Sequence, residues 1–92
     1  AVIFLLLNLG EIAGIRGDYR QAKTYLREGL ALAREIGHQR AEIAARQYLG
    51  VVAYQQGEDA PAAAYFGDGL RLAREIGYQE KISALLLHRG AL

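Results

Sequence analysis

The sequence predicts an all-α fold of antiparallel helix pairs stacked in a row, about five helices in all. Three observations carry this expectation. One segment repeats at a fixed offset, glycines punctuate the chain at matching places, and the residues between them keep helical apolar spacing.

The repeat is the firmest of the three. Leu26-Arg27-Glu28-Gly29-Leu30-Ala31-Leu32-Ala33-Arg34-Glu35-Ile36-Gly37 returns as Phe66-Gly67-Asp68-Gly69-Leu70-Arg71-Leu72-Ala73-Arg74-Glu75-Ile76-Gly77, 40 residues on. The same offset aligns Leu9-Gly10 with Leu49-Gly50, Ala13 with Ala53, Gly17 with Gly57, Ala22 with Ala62 and Tyr25 with Tyr65. At twice the offset Leu5-Leu6-Leu7 returns as Leu85-Leu86-Leu87. The chain therefore reads as a single array, with a first repeat over 1–40, a second over 41–80 and the start of a third over 81–92.

Each unit divides into two helices. The first helix is expected near 2–16 and stops at Gly17, since a glycine that can turn left-handed is the common end of a helix. Asp18 opens the second helix, near 18–36, because its carboxylate can accept from the free amides of the first turn. Ala22, Leu26, Leu30 and Ala33 form one face of that helix at steps of four, four and three. Leu32 and Ile36 lie on a neighbouring second stripe. One stripe suffices for a helix lying on a single neighbour, so two stripes predict burial between a partner helix and the next repeat. The third helix, near 39–56, runs between Gly37 and Gly57. The fourth, near 59–76, carries Asp59 in its first turn, where negative charge suits the helix dipole. Pro61, the only proline, falls in the same turn, where its missing amide costs little. Gly77 ends that helix and a fifth follows near 79–91. Gly29 and Gly69 lie inside helices, where each glycine costs about 1 kcal/mol against alanine; their recurrence predicts close packing there.

Composition narrows the function. With 92 residues there is one domain's worth of chain, of which 52% is hydrophobic and 23% charged, the profile of a folded segment. The formal net charge is +1 with both signs interspersed, so the concentrated positive charge on which nucleic-acid binding rests is missing. The absence of cysteine removes disulfides and thiolate metal sites and suits a cytoplasmic location. The apolar run Ala1–Leu7 falls well short of the roughly 20 residues of a membrane span, and it lacks the flanks of a signal peptide. The chain contains no methionine and reads as a segment of a longer protein, its apolar first helix covered there by a neighbour.

The repeat resembles the tetratricopeptide repeat, whose pattern is Trp, two residues, Leu-Gly, two residues, Tyr, then Ala, three residues, Phe, and finally Pro. Here Leu6, Leu9, Gly10 and Ala13 stand at the first set of positions, followed by Ala22 and Leu26. In the second unit they are Arg46, Leu49, Gly50 and Ala53, followed by Ala62 and Phe66. The unit is 40 residues rather than 34, and Arg34 and Arg74 stand near the family's Pro. In this it is similar to repeats of kinesin light chains and of the arms of bacterial signalling ATPases and transcription regulators. Arg46 replaces the bulky Trp. The resemblance implies a right-handed superhelical solenoid; another helical-hairpin solenoid is the alternative.

It also implies a ligand face. In the family the first helix of each unit lines the concave side, which places Phe4, Leu7, Asn8, Glu11 and Ile15 of the first unit there. The second unit adds Ala44, Gln47, Tyr48, Val51, Tyr54 and Gln55, and the third Ala84, Leu87 and His88. The mixture of apolar, aromatic and amide groups suits a peptide or helix, although Phe4, Leu7 and Val51 also fit a plain core role. The expected binding residues are Leu7, Asn8, Glu11, Gln47, Tyr48, Val51, Tyr54, Gln55 and His88. One subgroup of the family clamps a C-terminal carboxylate with Lys, Arg and Asn. The matching positions here are Leu7, Glu11, Tyr48, Ala84 and His88, so that clamp is not expected.

Nothing points to chemistry. The two histidines, His38 and His88, lie far apart, and metal sites want clustered ligands. His38 follows a helix-ending glycine and reads as a solvated turn residue. No Ser-His-Asp set and no phosphate loop is present, and Gly37 and Gly77 follow helices whereas a phosphate site precedes one. Arg34-Glu35 and Arg74-Glu75 read as solvated charges. The six tyrosines lack the basic groove that base stacking needs, and Tyr25 and Tyr65 recur at one site, which favours a structural role. The expectation is a non-enzymatic protein-interaction scaffold without cofactor or metal, binding neither nucleic acid nor membrane directly. Two alternatives remain. One is self-association through the apolar surfaces of Val2 to Leu7 and Leu85 to Leu87; the other is a ligand-sensing arm of a signalling ATPase or transcription regulator.

Overall fold

A computed structural model describes residues 2–91. Five helices follow one another: α1 (Val2–Ile15), α2 (Tyr19–Ile36), α3 (Gln39–Gln55), α4 (Asp59–Ile76) and α5 (Gln79–Gly90). No strand occurs among the described residues. The bounds fall within about a residue of those expected from the glycines, while the expectations that touch Ala1 and Leu92 lie outside the described residues.

All four connections are one device. Gly17, Gly37, Gly57 and Gly77 have φ of 84°, 71°, 76° and 72°, the left-handed region that only glycine enters without strain. At each, the following amide reaches back to close the helix. Asp18 N–H donates to Ala13 O at 2.9 Å, His38 to Ala33 at 2.8 Å, Glu58 to Ala53 at 2.9 Å and Tyr78 to Ala73 at 2.8 Å, the bond of a Schellman turn. That same residue stands at the N-cap position of the next helix, so two or three residues reverse the chain each time.

The helix starts differ in chemistry. Asp18 accepts from Gln21 N–H at 3.3 Å, as the sequence predicts. His38 does the equivalent for α3, its Nδ1 accepting from Ala41 N–H at 3.1 Å. It is therefore a half-buried cap, not a solvated turn residue. Glu58 caps nothing with its side chain and instead pairs with Lys23 at 3.2 Å, tying the start of α4 to α2.

Consecutive helices pack on one another, and α3 also packs on α1 and α5, whereas the backbones of α2 and α4 stay apart. The odd-numbered helices thus form one layer and the even-numbered helices a second, more widely spaced one. Two apolar clusters result. The first joins Ile3, Leu7, Leu26, Leu49 and Val52, and the second Ile43, Phe66, Leu70 and Leu85. Helix α3 supplies both, which is why it is buried nearly all round and rich in alanine.

Glycine brings the layers together. A Cβ on Gly10 would fall 2.5 Å from Leu26 Cγ, and one on Gly50 would clash with the Phe66 ring. Gly29 is nearly as tight, at 3.0 Å from Leu7, but Gly69 leaves 3.4 Å to Leu85, room for a methyl group. The packing reason for a recurring glycine therefore holds for Gly29 and not for Gly69. The second stripe of α2 is corrected too. Leu32 packs on the first cluster, but Ile36 is exposed, whereas its counterpart Ile76 at the end of α4 packs on the second cluster. Within the apolar runs Val2–Leu7 and Leu85–Leu87, Ile3, Leu7 and Leu85 are core, leaving Val2, Phe4, Leu5, Leu86 and Leu87 exposed. The apolar surface expected of the whole run is confined to one side of each helix.

Candidate functional site

The layer formed by α1, α3 and α5 carries two clefts separated by one side chain, Tyr48. The first has a volume of about 270 Å³ and is lined by Glu11, Gly14 and Ile15 of α1, Gln47, Tyr48, Val51, Val52 and Gln55 of α3, and His88 of α5. The second, of about 350 Å³, lies toward the helix starts. It is lined by Phe4, Leu7 and Asn8 of α1, His38, Arg40, Ala44 and Tyr48 at the beginning of α3, and Tyr78 and Lys81 at the beginning of α5. Helical spacing explains the grouping: Arg40, Ala44 and Tyr48 stand four residues apart, so they share a face.

Of the nine residues expected to bind, Glu11, Gln47, Tyr48, Val51, Gln55 and His88 meet around the first cleft. Leu7 and Asn8 join Tyr48 in the second. Tyr54 lines neither and projects from the side of α3, 45% exposed. Burial sorts the rest. Leu7 and Gln47 are buried and form floors; Asn8, Glu11 and Gln55 are exposed rims. Leu87, placed on this face by the family resemblance, is 77% exposed and lines neither cleft. His88 is half-buried because its ring stacks on Phe66, with centroids 5.3 Å apart and planes at 13°.

A polar cluster joins the clefts. Lys81 donates to Gln47 Oε1, which satisfies the buried amide. Its ammonium also lies 5.8 Å from the Tyr48 ring centroid, within reach of the ring's negative face. Burial pushes the Tyr48 hydroxyl above its usual range, and the charges of Glu11 and Tyr78 push the same way. Burial lowers Lys81, opposed by the carboxylates of Glu11 and Glu80. Beyond Lys81, the Arg40 guanidinium lies 4.9 Å over the Tyr78 ring, and Phe4 meets His38 edge-on at 5.4 Å.

Sequence reasoning passes over Arg40, Tyr78 and Lys81 and places His38 elsewhere. A signal for two of them is present: four residues back from Ala44 is Arg40, and three back from Ala84 is Lys81. The face continues from the middle of each helix into its first turn.

Arg46, at the position where the sequence departs from the family's Trp, lies away from these clefts. It donates to Glu42 Oε2 at 3.0 Å and to Asp68 Oδ2 at 3.4 Å, and its Cβ would lie 3.6 Å from a methyl group on Gly69. It bridges α3 to α4, with its methylene stem filling space and its charge held by carboxylates. A smaller cleft of about 200 Å³ on the other side of the molecule is lined by Lys23, Arg27, Leu49, Ala53, Glu58, Pro61 and Tyr65, and the Lys23–Glu58 pair spans it.

Among the described residues no group of three or more His, Asp or Glu is placed to share a metal ion, and no helix is long and apolar enough to cross a membrane. The two main clefts offer amide, carboxylate, hydroxyl, imidazole and ammonium groups around apolar floors, which is the chemistry of holding a polypeptide. A family model described as tetratricopeptide repeat matches residues 2–75. No curated protein and no solved structure matches the chain.

Proposed function

The chain belongs to the tetratricopeptide repeat family, and from that premise we propose that it is a scaffold holding a partner peptide or helix along the layer of α1, α3 and α5. Repeats of this family generally mediate protein–protein interactions and are typically non-catalytic. The observation that carries the reading is the convergence of six face residues from three helices, Glu11, Gln47, Tyr48, Val51, Gln55 and His88, around one cleft of about 270 Å³. Rims of exposed polar groups over an apolar floor fit a bound segment that exchanges backbone hydrogen bonds with amides and buries one or two apolar side chains. In this reading the module serves a larger regulatory protein of the cytoplasm, as one stretch of a right-handed superhelical array with its repeats divided at residues 40 and 80.

The experiment uses rim residues, since changing the buried Gln47 would confuse binding with folding. Peptides selected from a random display library on the native chain are titrated against Gln55→Ala and Ile15→Asp. Ile15 is 78% exposed, so both variants keep the native melting temperature. Affinity falls in both, by more for the charge placed at the cleft. Unchanged affinity in both removes the groove as the binding site.

A second reading, self-association, is favoured by the exposed Val2, Phe4 and Leu5 on α1 and Leu86 and Leu87 on α5. Apolar side chains grouped in this way mark contact surfaces. Light scattering over a concentration series separates the readings. A constant monomer mass sets self-association aside, and a mass that grows and is reset by Leu5→Glu or Leu87→Glu establishes it.

A further inference from the structure

We infer that the second cleft recognises an acidic side chain of the partner segment, an aspartate or glutamate flanking the apolar residue that enters the first cleft. This rests on the groove reading above and specifies the chemistry of its partner.

Two cations face this cleft outside any ion pair, although the carboxylates of Glu11 and Glu80 lie near enough to favour the charge of Lys81. The ion pairs among the described residues use Lys23, Arg46 and Arg71, and neither Arg40 nor Lys81 takes part. No carboxylate lines the cleft. Arg40 lies on an aromatic ring, so its five N–H donors stay available around the edge. Lys81 gives one hydrogen bond, to Gln47, and keeps two N–H groups. Burial destabilises its charge, which an incoming carboxylate would relieve. The free amides of the first turns of α3 and α5 lie at the same end of the layer and favour the same sign.

The groove is also polarised. Glu11 lines the first cleft and the cations line the second, with Tyr48 between. A segment carrying its acidic group on one side of its apolar anchor gains at both ends, whereas the reversed segment meets like charge at Glu11. Charge complementarity of this kind sets orientation and partner choice. Arg40 and Lys81 are not among Leu7, Glu11, Tyr48, Ala84 and His88, where the family's carboxylate clamp stands, although Leu7 and Tyr48 also line this cleft. Two cations are too few for a phosphate backbone, whose binding rests on many released counterions.

The test compares two selections from a random-peptide display library, one on the native chain and one on the R40E/K81E double variant, with circular dichroism melts of both. The native chain enriches peptides with Asp or Glu next to an aliphatic or aromatic residue, and the double variant enriches Lys or Arg in that place. For the best native peptide, Arg40→Gln and Lys81→Gln each weaken binding roughly two- to tenfold, with the loss shrinking at high salt. Lys23→Gln, on the other side, leaves affinity unchanged. Selected peptides without acidic enrichment, or affinities indifferent to both glutamine variants in a folded chain, overturn the acidic specificity and leave the groove standing. Failure to enrich any peptide over the uncoated control overturns the groove reading, and this inference with it.

Discussion

The ring of Phe66 on α4 lies directly on the backbone of Gly50 on α3, and one repeat earlier Leu26 on α2 occupies the same place over Gly10 on α1. The larger residue fills the second unit and the smaller one the first, so the pairing of a bulky knob with a glycine hole holds each hairpin closed. Phe66 is 1% exposed and is backed by His88, which leaves the ring no space to retreat. Gly50→Ala is therefore expected to destabilise the chain by about 1–3 kcal/mol despite alanine's better helix propensity. Urea unfolding followed by circular dichroism reads the change.

Gly67 is the control with the opposite sign. It lies in the middle of α4, and a methyl group added there would meet nothing within 4 Å; its φ is not left-handed. Gly67→Ala is expected to stabilise by about 0.5–1 kcal/mol, through helix propensity and a less disordered unfolded chain. In a thermal melt that is a rise of roughly 4 °C.

Arg46 tests whether a cation has replaced an aromatic by packing or by charge. Its side chain is 16% exposed and that of Glu42 is 19% exposed, so removing the cation strands a half-buried carboxylate. Arg46→Ala is expected to cost about 1–2 kcal/mol. Arg46→Met keeps the apolar stem and costs less. Equal losses in the two variants would assign the whole effect to charge.

Glu11 has a predictable influence across the cleft wall. Its carboxylate raises Tyr48 by disfavouring the phenolate and raises Lys81 by favouring the ammonium. Glu11→Gln therefore moves both titrations to lower pH. Tyr48 stays above its ordinary value of 10.0 and Lys81 stays below 10.5, because burial, the larger cause for each, is untouched. A pH titration by NMR with labelled tyrosine and lysine reads the two shifts, and a rise in either would place Glu11 elsewhere.

The sequence by itself determined the architecture: the forty-residue repeat and five helices bounded by four glycines. These features arise from local and periodic causes. A left-handed glycine ends a helix wherever it stands, and residues at steps of three and four share a side whatever lies opposite. Periodicity says which residues share a side, but the choice of the side at Glu11, Gln47, Tyr48 and His88 rests on the family resemblance. What only the tertiary structure decided depends on partners remote in the chain. Lys81 meets Gln47 over a separation of 34 residues, Arg46 finds Asp68 over 22, and the Phe4 ring reaches the His38 cap. Periodicity alone does not say that the side with Ile3 is covered and the side with Phe4 is not, nor that Ile36 is exposed while Ile76 is packed, because each depends on where a neighbouring helix lies. The second cleft was hidden for the same reason. Its cations come from the first turns of two helices, and only the packing of α5 on α3 brings those turns together.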